Sequence, residues 1–208
     1  MTVDDSSARS TGSETAGAEY AARLARLDRS KWRRVLNVQA PYRWNVRHLK
    51  LGRVLDIGSG LGRNLAHLEN DSVGVDHNAE SIAIARGRGL TAFTSDEFPT
   101  SGYAVPGAFD SLLFAHVIEH VSPEYAVGLV QTYLPYVAPG GTVCFITPQE
   151  RGFASDATHV TFTDFDALDA LCRKTGLSPV RHYSFPLPRA AGKSFMYNEF
   201  VFLATAPE

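Results

Sequence analysis

A chain of 208 residues with 44% hydrophobic and 20% charged residues suffices for one sizeable core and is short for two domains. Its net charge of −2 argues against a nucleic-acid partner, and no apolar run reaches membrane-spanning length. The polar stretch from Met1 to Gly17 lacks the apolar centre of a signal peptide, so a cytoplasmic location is expected.

Residues 1–17 carry almost nothing to bury and predict a disordered tail, with a single domain over 18–208. Tyr20 to Gln39 has helical spacing, with Leu24, Leu27, Trp32, Val35 and Leu36 available for one apolar stripe. Pro41 interrupts it, and Tyr42 to Leu49 predicts a short second helix, so that residues 18–50 are expected to form an N-terminal helical segment. Ten of the 20 Lys and Arg lie between Arg23 and Arg53, with Asp28 the only acid among them. That cluster reads either as a solvated helix face or as an electropositive rim for a carboxylate, phosphate or acidic partner.

From Arg53 onward strand and helix patterns alternate, which predicts a doubly wound α/β sheet. Val54 to Ile57 is a buried strand, and Gly58, Gly60 and Gly62 form a turn that lets backbone approach a ligand. Arg63-Asn64 then opens an amphipathic helix, the first of four predicted over 62–69, 79–88, 123–137 and 164–175. Val73 to Asp76 is a second strand ending in an acid, and further strands are predicted to end near Thr94, Phe114 and Thr147. The last helix opens with the cap signal Thr163-Asp164-Phe165-Asp166 and closes at Gly176. Pro179 to Phe185 and Glu199 to Ala204 follow with no helix between them, which implies antiparallel pairing. Cys144 and Cys172 both fall in core-like patterns and read as buried thiols.

Open α/β sheets bind ligands beyond the carboxyl ends of their parallel strands. That edge holds His116, Glu119 and His120 after the fourth strand and His159 after the fifth, a set suited to a general base or a divalent metal. His116-Val117-Ile118-Glu119-His120 also fits the inverted zinc-protease pattern, but here it directly follows a sheet strand. His48, His67 and His182 read as packing or surface residues. In a dinucleotide oxidoreductase the third glycine of the turn would fall at Arg63, and the closing antiparallel strands also argue against a dehydrogenase.

The glycine turn with Asp56, the acid Asp76, the segment Phe93 to Phe98, the Glu119-His120 pair and the turn Leu134 to Val143 fall in order over roughly residues 50–148. Together they resemble class I S-adenosylmethionine (SAM) methyltransferases, in particular the ubiquinone-type group with its Glu-His pair after strand four. The resemblance implies a Rossmann-like seven-stranded sheet with a C-terminal antiparallel hairpin, and SAM as cofactor. It implies cofactor contacts from Asp56, Gly58, Ser59, Gly60, Asp76, His77, Asp96 and Glu97, with backbone from Ala115. Asn64 reads equally as a contact or as a turn cap. Tyr42, Arg43 and Trp44 would cover the cofactor, Arg43 pairing with its carboxylate, although Trp44 reads equally as a core aromatic. His116, Glu119, His120 and His159 are the catalytic candidates. Glu119 and His120 could hold a divalent cation such as Mg²⁺, since some relatives use one near this pair.

Histidine and glutamate at the acceptor edge favour a hydroxyl acceptor. The chain is similar in size and motifs to compact bacterial sugar O-methyltransferases, such as those of methylmannose polysaccharide synthesis, which implies a sugar or oligosaccharide acceptor and a monomer or homodimer. An aromatic, quinol or polyketide acceptor is the alternative; Phe153, Phe162, Phe195 and Tyr197 would serve either ring type. The loop Pro186 to Ser194, with Arg189 and Lys193, is expected to shape the acceptor pocket. A non-catalytic SAM-binding regulator is the reading from another class.

Overall fold

The computed structural model describes residues 40–69 and 71–208. The expected tail over 1–17, the helix over Tyr20 to Gln39, the basic residues before position 40 and the domain start at residue 18 lie outside the described residues.

Helix α1 (Ala40–His48) has Pro41 in its first turn, where a missing N–H breaks no helical bond. Strand β1 (Val54–Ile57) is buried along its whole length, as is β2 (Val73–Asp76). Helix α2 (Ala79–Gly87) follows, capped by the Asn78 side chain, which accepts from the Ser81 N–H. Then come β3 (Ala92–Thr94), β4 (Phe109–Ala115), α3 (Pro123–Tyr133) and the long β5 (Val137–Pro148). A single turn α4 (Glu150–Phe153), helix α5 (Phe165–Thr175) and strands β6 (Ser178–Phe185) and β7 (Glu199–Thr205) complete the chain.

The seven strands form one sheet in the order β3-β2-β1-β4-β5-β7-β6. β1 to β5 pair in parallel, whereas β7 runs antiparallel between β5 and β6. This is the expected α/β Rossmann-like architecture with a C-terminal antiparallel hairpin. The period of two along β4 divides the core. Leu112 and Phe114 face Val130 of α3 and Leu168 of α5, while Leu113 and Ala115 face Val46 of α1 and Leu51. Phe98, Phe109, Phe114, Phe145, Phe200 and Phe202 are all fully buried, each stabilising the fold by about 1.5–3 kcal/mol. Cys144 and Cys172 are free, buried, and on opposite faces of the sheet, as their patterns predict.

The expected helix over 62–69 does not form. Its place is taken by turns and one 3₁₀ turn, Leu65–His67. Gly62 has φ +75°, the Leu65 N–H donates to buried Asp56, and Leu68 is already extended, so too few residues remain for a helix. The helix expected over 123–137 ends at Tyr133 and tightens into a 3₁₀ turn containing Pro135. The final helix is capped by Asp164, which accepts from the Ala167 N–H, one residue later than the Thr163 signal implies; Gly176 closes it as expected. Among the described residues no helix is long and apolar enough to cross a membrane.

Candidate active site

The parallel strands end together at Ile57, Asp76, Thr94, Ala115 and Pro148, and β7 begins at the same edge with Glu199. The turn after β1 folds back over β2, where the N–H groups of Gly58 and Ser59 donate to the Val75 carbonyl at 2.8 and 3.1 Å. Asp76 fixes the turn from the other side. Its Oδ2 accepts from the Gly60 N–H at 2.9 Å and its Oδ1 from the Asn78 N–H at 2.8 Å. Each oxygen retains a further lone pair for a ligand hydroxyl. Gly58 and Gly60 have φ +71° and +52°, a conformation that L side chains rarely adopt. A Cβ on Gly58 would lie 2.3 Å from Val117 Cγ2, whereas one on Gly60 would meet nothing within 4 Å. The turn is thus packed on one side and open on the other.

Behind it, Asp56 is 1% exposed, and its Oδ2, like Ser59 Oγ, is buried with no hydrogen-bond partner. Burial first, and the neighbouring Asp76 charge second, push the Asp56 carboxyl up to about 8. His77 is exposed beside Asp76, its Nδ1 3.5 Å from Oδ1. Asn64 starts the 3₁₀ turn without a side-chain cap bond. After β3, Glu97 accepts from the Thr94 N–H at 2.9 Å and from Arg86 at 2.6 Å, two bonds that hold its carboxyl below the usual range. Its carboxylate thereby shapes the turn, and Asp96 stands exposed next to it. Ala115 ends β4 nearly buried.

Helix α1 lies against this edge. Burial, then the charges of Arg43 and Arg47, lower the His67 pKa, placing both guanidinium groups near the segment after the glycine turn. The Tyr42 hydroxyl donates to the Tyr197 carbonyl, and burial followed by the Glu199 charge raises its pKa. Trp44 is 55% exposed, stacked on His48 at 3.8 Å and parallel to Phe185 at 6.2 Å. It is therefore not a core aromatic, because the apolar side of α1 is taken by Val46.

The second half of the site grows from the end of β4. His116 has φ +60°, and its N–H donates to the Ile146 carbonyl of β5 at 2.9 Å. That backbone turns its ring between two carboxylates: Nδ1 lies 3.1 Å from Glu119 Oε1 and Nε2 lies 2.8 Å from Glu199 Oε1. Partial desolvation of the half-exposed ring alone would lower its pKa, but the bonds to Glu119 and Glu199 outweigh that and raise it to about 10. Burial raises the Glu199 carboxyl and His116 opposes it. His116 is therefore an imidazolium at neutral pH and unsuited to accept a proton.

Glu119 and His120 follow on the 3₁₀ turn Ile118–His120. The Glu119 carbonyl accepts from the N–H groups of Val160 and Thr161 at 2.8 and 3.1 Å, which fastens the loop after β5 to this turn. The His120 and His159 rings consequently lie 4.7 Å apart. His159 Nδ1 is 2.7 Å from the Phe153 carbonyl, and His120 Nδ1 is 3.2 Å from the Thr158 carbonyl. A carbonyl only accepts, so both Nδ1 atoms carry a hydrogen, and Nε2 is the nitrogen by which either ring can accept a proton. Glu119 is fully buried, and its Oε2 has no hydrogen-bond partner. Glu119, His120 and His159 each offer a ligand atom, all within 4.8 Å of one another. His116 is not of that group, so the two histidines of the protease-like pattern do not converge.

Glu199, Gln149 and Asn198 are absent from the sequence-based candidates. The legible signal for Glu199 is an acid opening the otherwise apolar run Phe200 to Ala204. Gln149 Nε2 donates to Ser184 Oγ and to the Glu199 carbonyl, and Asn198 Nδ2 donates to Gln149 Oε1. These bonds anchor the loop 186–198, on which Arg189 forms a two-pronged ion pair with Glu150 at 2.8 and 2.5 Å. Phe153 stacks on His159 at 5.2 Å and meets Phe162 edge-on, and Phe195 meets Tyr197 edge-on on the loop 186–198.

A family model described as a methyltransferase domain matches residues 20–182. No curated protein matches the chain. Among solved structures, the putative methyltransferase of Haloferax volcanii, determined with the Trm112 activator, is 15% identical with a TM-score of 0.67, covering 92% of this chain and 96% of that one. A SAM-dependent methyltransferase from Archaeoglobus fulgidus is 18% identical with a TM-score of 0.61, covering 79% and 92%. The N-methyltransferase NodS from Bradyrhizobium japonicum WM9 is 15% identical with a TM-score of 0.57, covering 82% and 100%. At these identities the likeness is one of fold.

Proposed function

We propose, from the premise that this chain belongs to the methyltransferase-domain family and is a SAM-dependent methyltransferase, that it transfers the methyl group to a hydroxyl of a small molecule, in the first place a sugar or oligosaccharide. The observation that carries the hydroxyl reading is the convergence of His120 and His159, each with Nδ1 turned to a carbonyl, beside Glu119, whose Oε2 has no hydrogen-bond partner. A hydroxyl acceptor must lose a proton around the time of transfer, and an amine or carbon acceptor places a different demand on the site. NodS shares the fold and is named an N-methyltransferase, so the fold does not select the acceptor atom.

The residues present fit the cofactor. Open space beside Gly60, the two unpartnered buried oxygens of Asp56 and Ser59, and the spare lone pairs of Asp76 form a cradle of the required polarity. We assign the glycine turn and Asp56 to the methionine half, Asp76 to the ribose, and Asp96, the exposed His77 and the Ala115 backbone to the adenine side. Asn64 and Glu97 border the site, and Arg43 is the candidate for the carboxylate. When bound, SAM supplies a methyl group already activated on sulfur. The protein then needs to align the acceptor, exclude water and take one proton. His120 or His159 takes that proton on Nε2, and Glu119 Oε2 supports the resulting charge. The loop 186–198 and the aromatic groups Phe153 and Phe162 close the acceptor side.

A divalent cation at Glu119, His120 and His159 is the second reading. Two imidazoles and one carboxylate suit Mn²⁺ or Zn²⁺ better than Mg²⁺. An aromatic or quinol acceptor uses the same groups, and a non-catalytic SAM-binding regulator would need none of them.

Calorimetric titration with S-adenosylhomocysteine, alone and with Mg²⁺ or Mn²⁺, with NAD as control, tests the cofactor half. Labelled SAM then screens sugars against phenols. His120→Ala or His159→Ala should lower turnover at least tenfold at unchanged S-adenosylhomocysteine affinity. Unchanged rates in both, and in Glu119→Ala, would refute the assigned chemistry. Loss of activity in EDTA, restored by Mn²⁺, would favour the cation.

A further inference from the structure

Glu199 is 8% exposed, stands at the first position of β7, and has Phe200 through Ala204 buried behind it. An ionisable side chain at such a place needs a partner, and the partner is in the turn after another strand: His116 Nε2, 2.8 Å away. The same ring meets Glu119 with its other nitrogen at 3.1 Å. His116 thus joins the start of β7 to the turn after β4, across the intervening strand β5.

The geometry points to Glu199 as a positioning residue for methyl transfer: by accepting from His116 Nε2 it fixes the ring that occupies Glu119 Oε1, and so holds the Glu119 carboxylate beside His120 and His159. This rests on the hydroxyl reading above and goes beyond it, because Glu199 touches none of the three groups assigned to proton transfer. Three observations carry the inference. The ring is set by a backbone at φ +60°, which a non-glycine residue rarely adopts and which the surrounding structure must hold in place. Both ring nitrogens are engaged by carboxylates, so the ring has one orientation. Glu119 is fully buried and its Oε2 has no hydrogen-bond partner, so the His116 bond to Oε1 is what orients its carboxylate. Without the Glu199 bond, the His116 ring can turn and release Glu119 Oε1. The carboxylate would then lose its fixed aim at His120 and His159.

The test compares Glu199→Leu, which removes the acceptor oxygen, with Glu199→Gln, whose amide oxygen can still accept from Nε2. Where Leu does not fold, Glu199→Met takes its place, filling similar volume without an acceptor. With the acceptor returned by the labelled-SAM screen, the Leu or Met variant should lose at least tenfold in kcat. Acceptor KM and S-adenosylhomocysteine affinity should stay within twofold. Gln should retain kcat within threefold. Independently of any acceptor, NMR should show a slowly exchanging His116 Nε2 proton in wild type and Gln, and none in Leu or Met. The inference is overturned if kcat of the Leu or Met variant stays within threefold of wild type. It is equally overturned if kcat and cofactor affinity fall while KM rises, or if the Nε2 proton signal survives in that variant. Failure to find any acceptor refutes the hydroxyl reading instead, and the NMR comparison still decides whether Glu199 holds the ring.

Discussion

Gln149 and Asn198, both fully buried, hydrogen-bond side chain to side chain at 2.9 Å and so tie the end of β5 to the start of β7. Asn198 Oδ1 also accepts from the Leu187 N–H at 2.9 Å, and its Nδ2 reaches the Pro188 carbonyl at 3.3 Å. One side chain therefore closes both ends of the loop 186–198. Asn198→Ala strands a buried amide oxygen and a backbone N–H. It should cost about 2–3 kcal/mol and make the segment between Pro186 and Ser194 the first site of limited proteolysis. Denaturant unfolding and mass mapping of the first cut check this, and cleavage elsewhere first would contradict it.

Gly58 and Gly60 share a backbone conformation and differ in surroundings, so alanine should separate folding from binding. Gly58→Ala drives a methyl into Val117 and should destabilise the fold by about 2 kcal/mol or more. Gly60→Ala meets open space, costs about 1 kcal/mol of backbone strain, and should weaken S-adenosylhomocysteine binding at least tenfold. Equal cofactor affinity in Gly60→Ala and wild type would remove the turn from the cofactor site.

Asp56 predicts a pH dependence of stability. Its carboxyl titrates near 8 when folded, against an ordinary value near 3.8. The folded chain therefore holds a proton that the unfolded chain has released, and stability falls as pH rises from about 4 to about 8. Asp56→Asn should melt like wild type near pH 4 and at a temperature several degrees higher at pH 8.5. A constant difference in melting temperature across that range would contradict the assignment.

His116 acts over a higher window. With its folded pKa raised to about 10, its contribution is complete below its ordinary value near 6.5 and is lost as pH rises through 10. His116→Ala leaves Glu119 and Glu199 facing each other without the cation. It should destabilise the fold by about 2 kcal/mol at pH 7, discounted because the ring is 44% exposed, and the difference should shrink as pH rises towards 10 and stay small above it. Thermal melts of both proteins from pH 6 to 10.5 decide the matter.

The sequence by itself determined the strands and the frame they build. Val54 to Ile57, Val73 to Asp76 and the closing runs ending at Phe185 and Ala204 are written as apolar segments bounded by turn residues, and each turns up as a strand within a residue or two. Such signals are local, because periodicity and turn chemistry depend on neighbours in the chain. The same holds for the grouping of Glu119 with His120 and for the placing of His159 at the same edge. Only the tertiary structure decided what these groups do to one another. Glu199 stands 83 residues from His116, and no local pattern links an acid at the start of β7 to a ring at the end of β4. Its presence there turns His116 from a candidate base into a fixed cation. The glycine turn gave the converse lesson, since a helix legible over 62–69 was displaced by Asp56, which draws the Leu65 N–H inward from the sheet. Burial and long-range pairing set protonation state and aim, and both are properties of the folded neighbourhood, to which local sequence is blind.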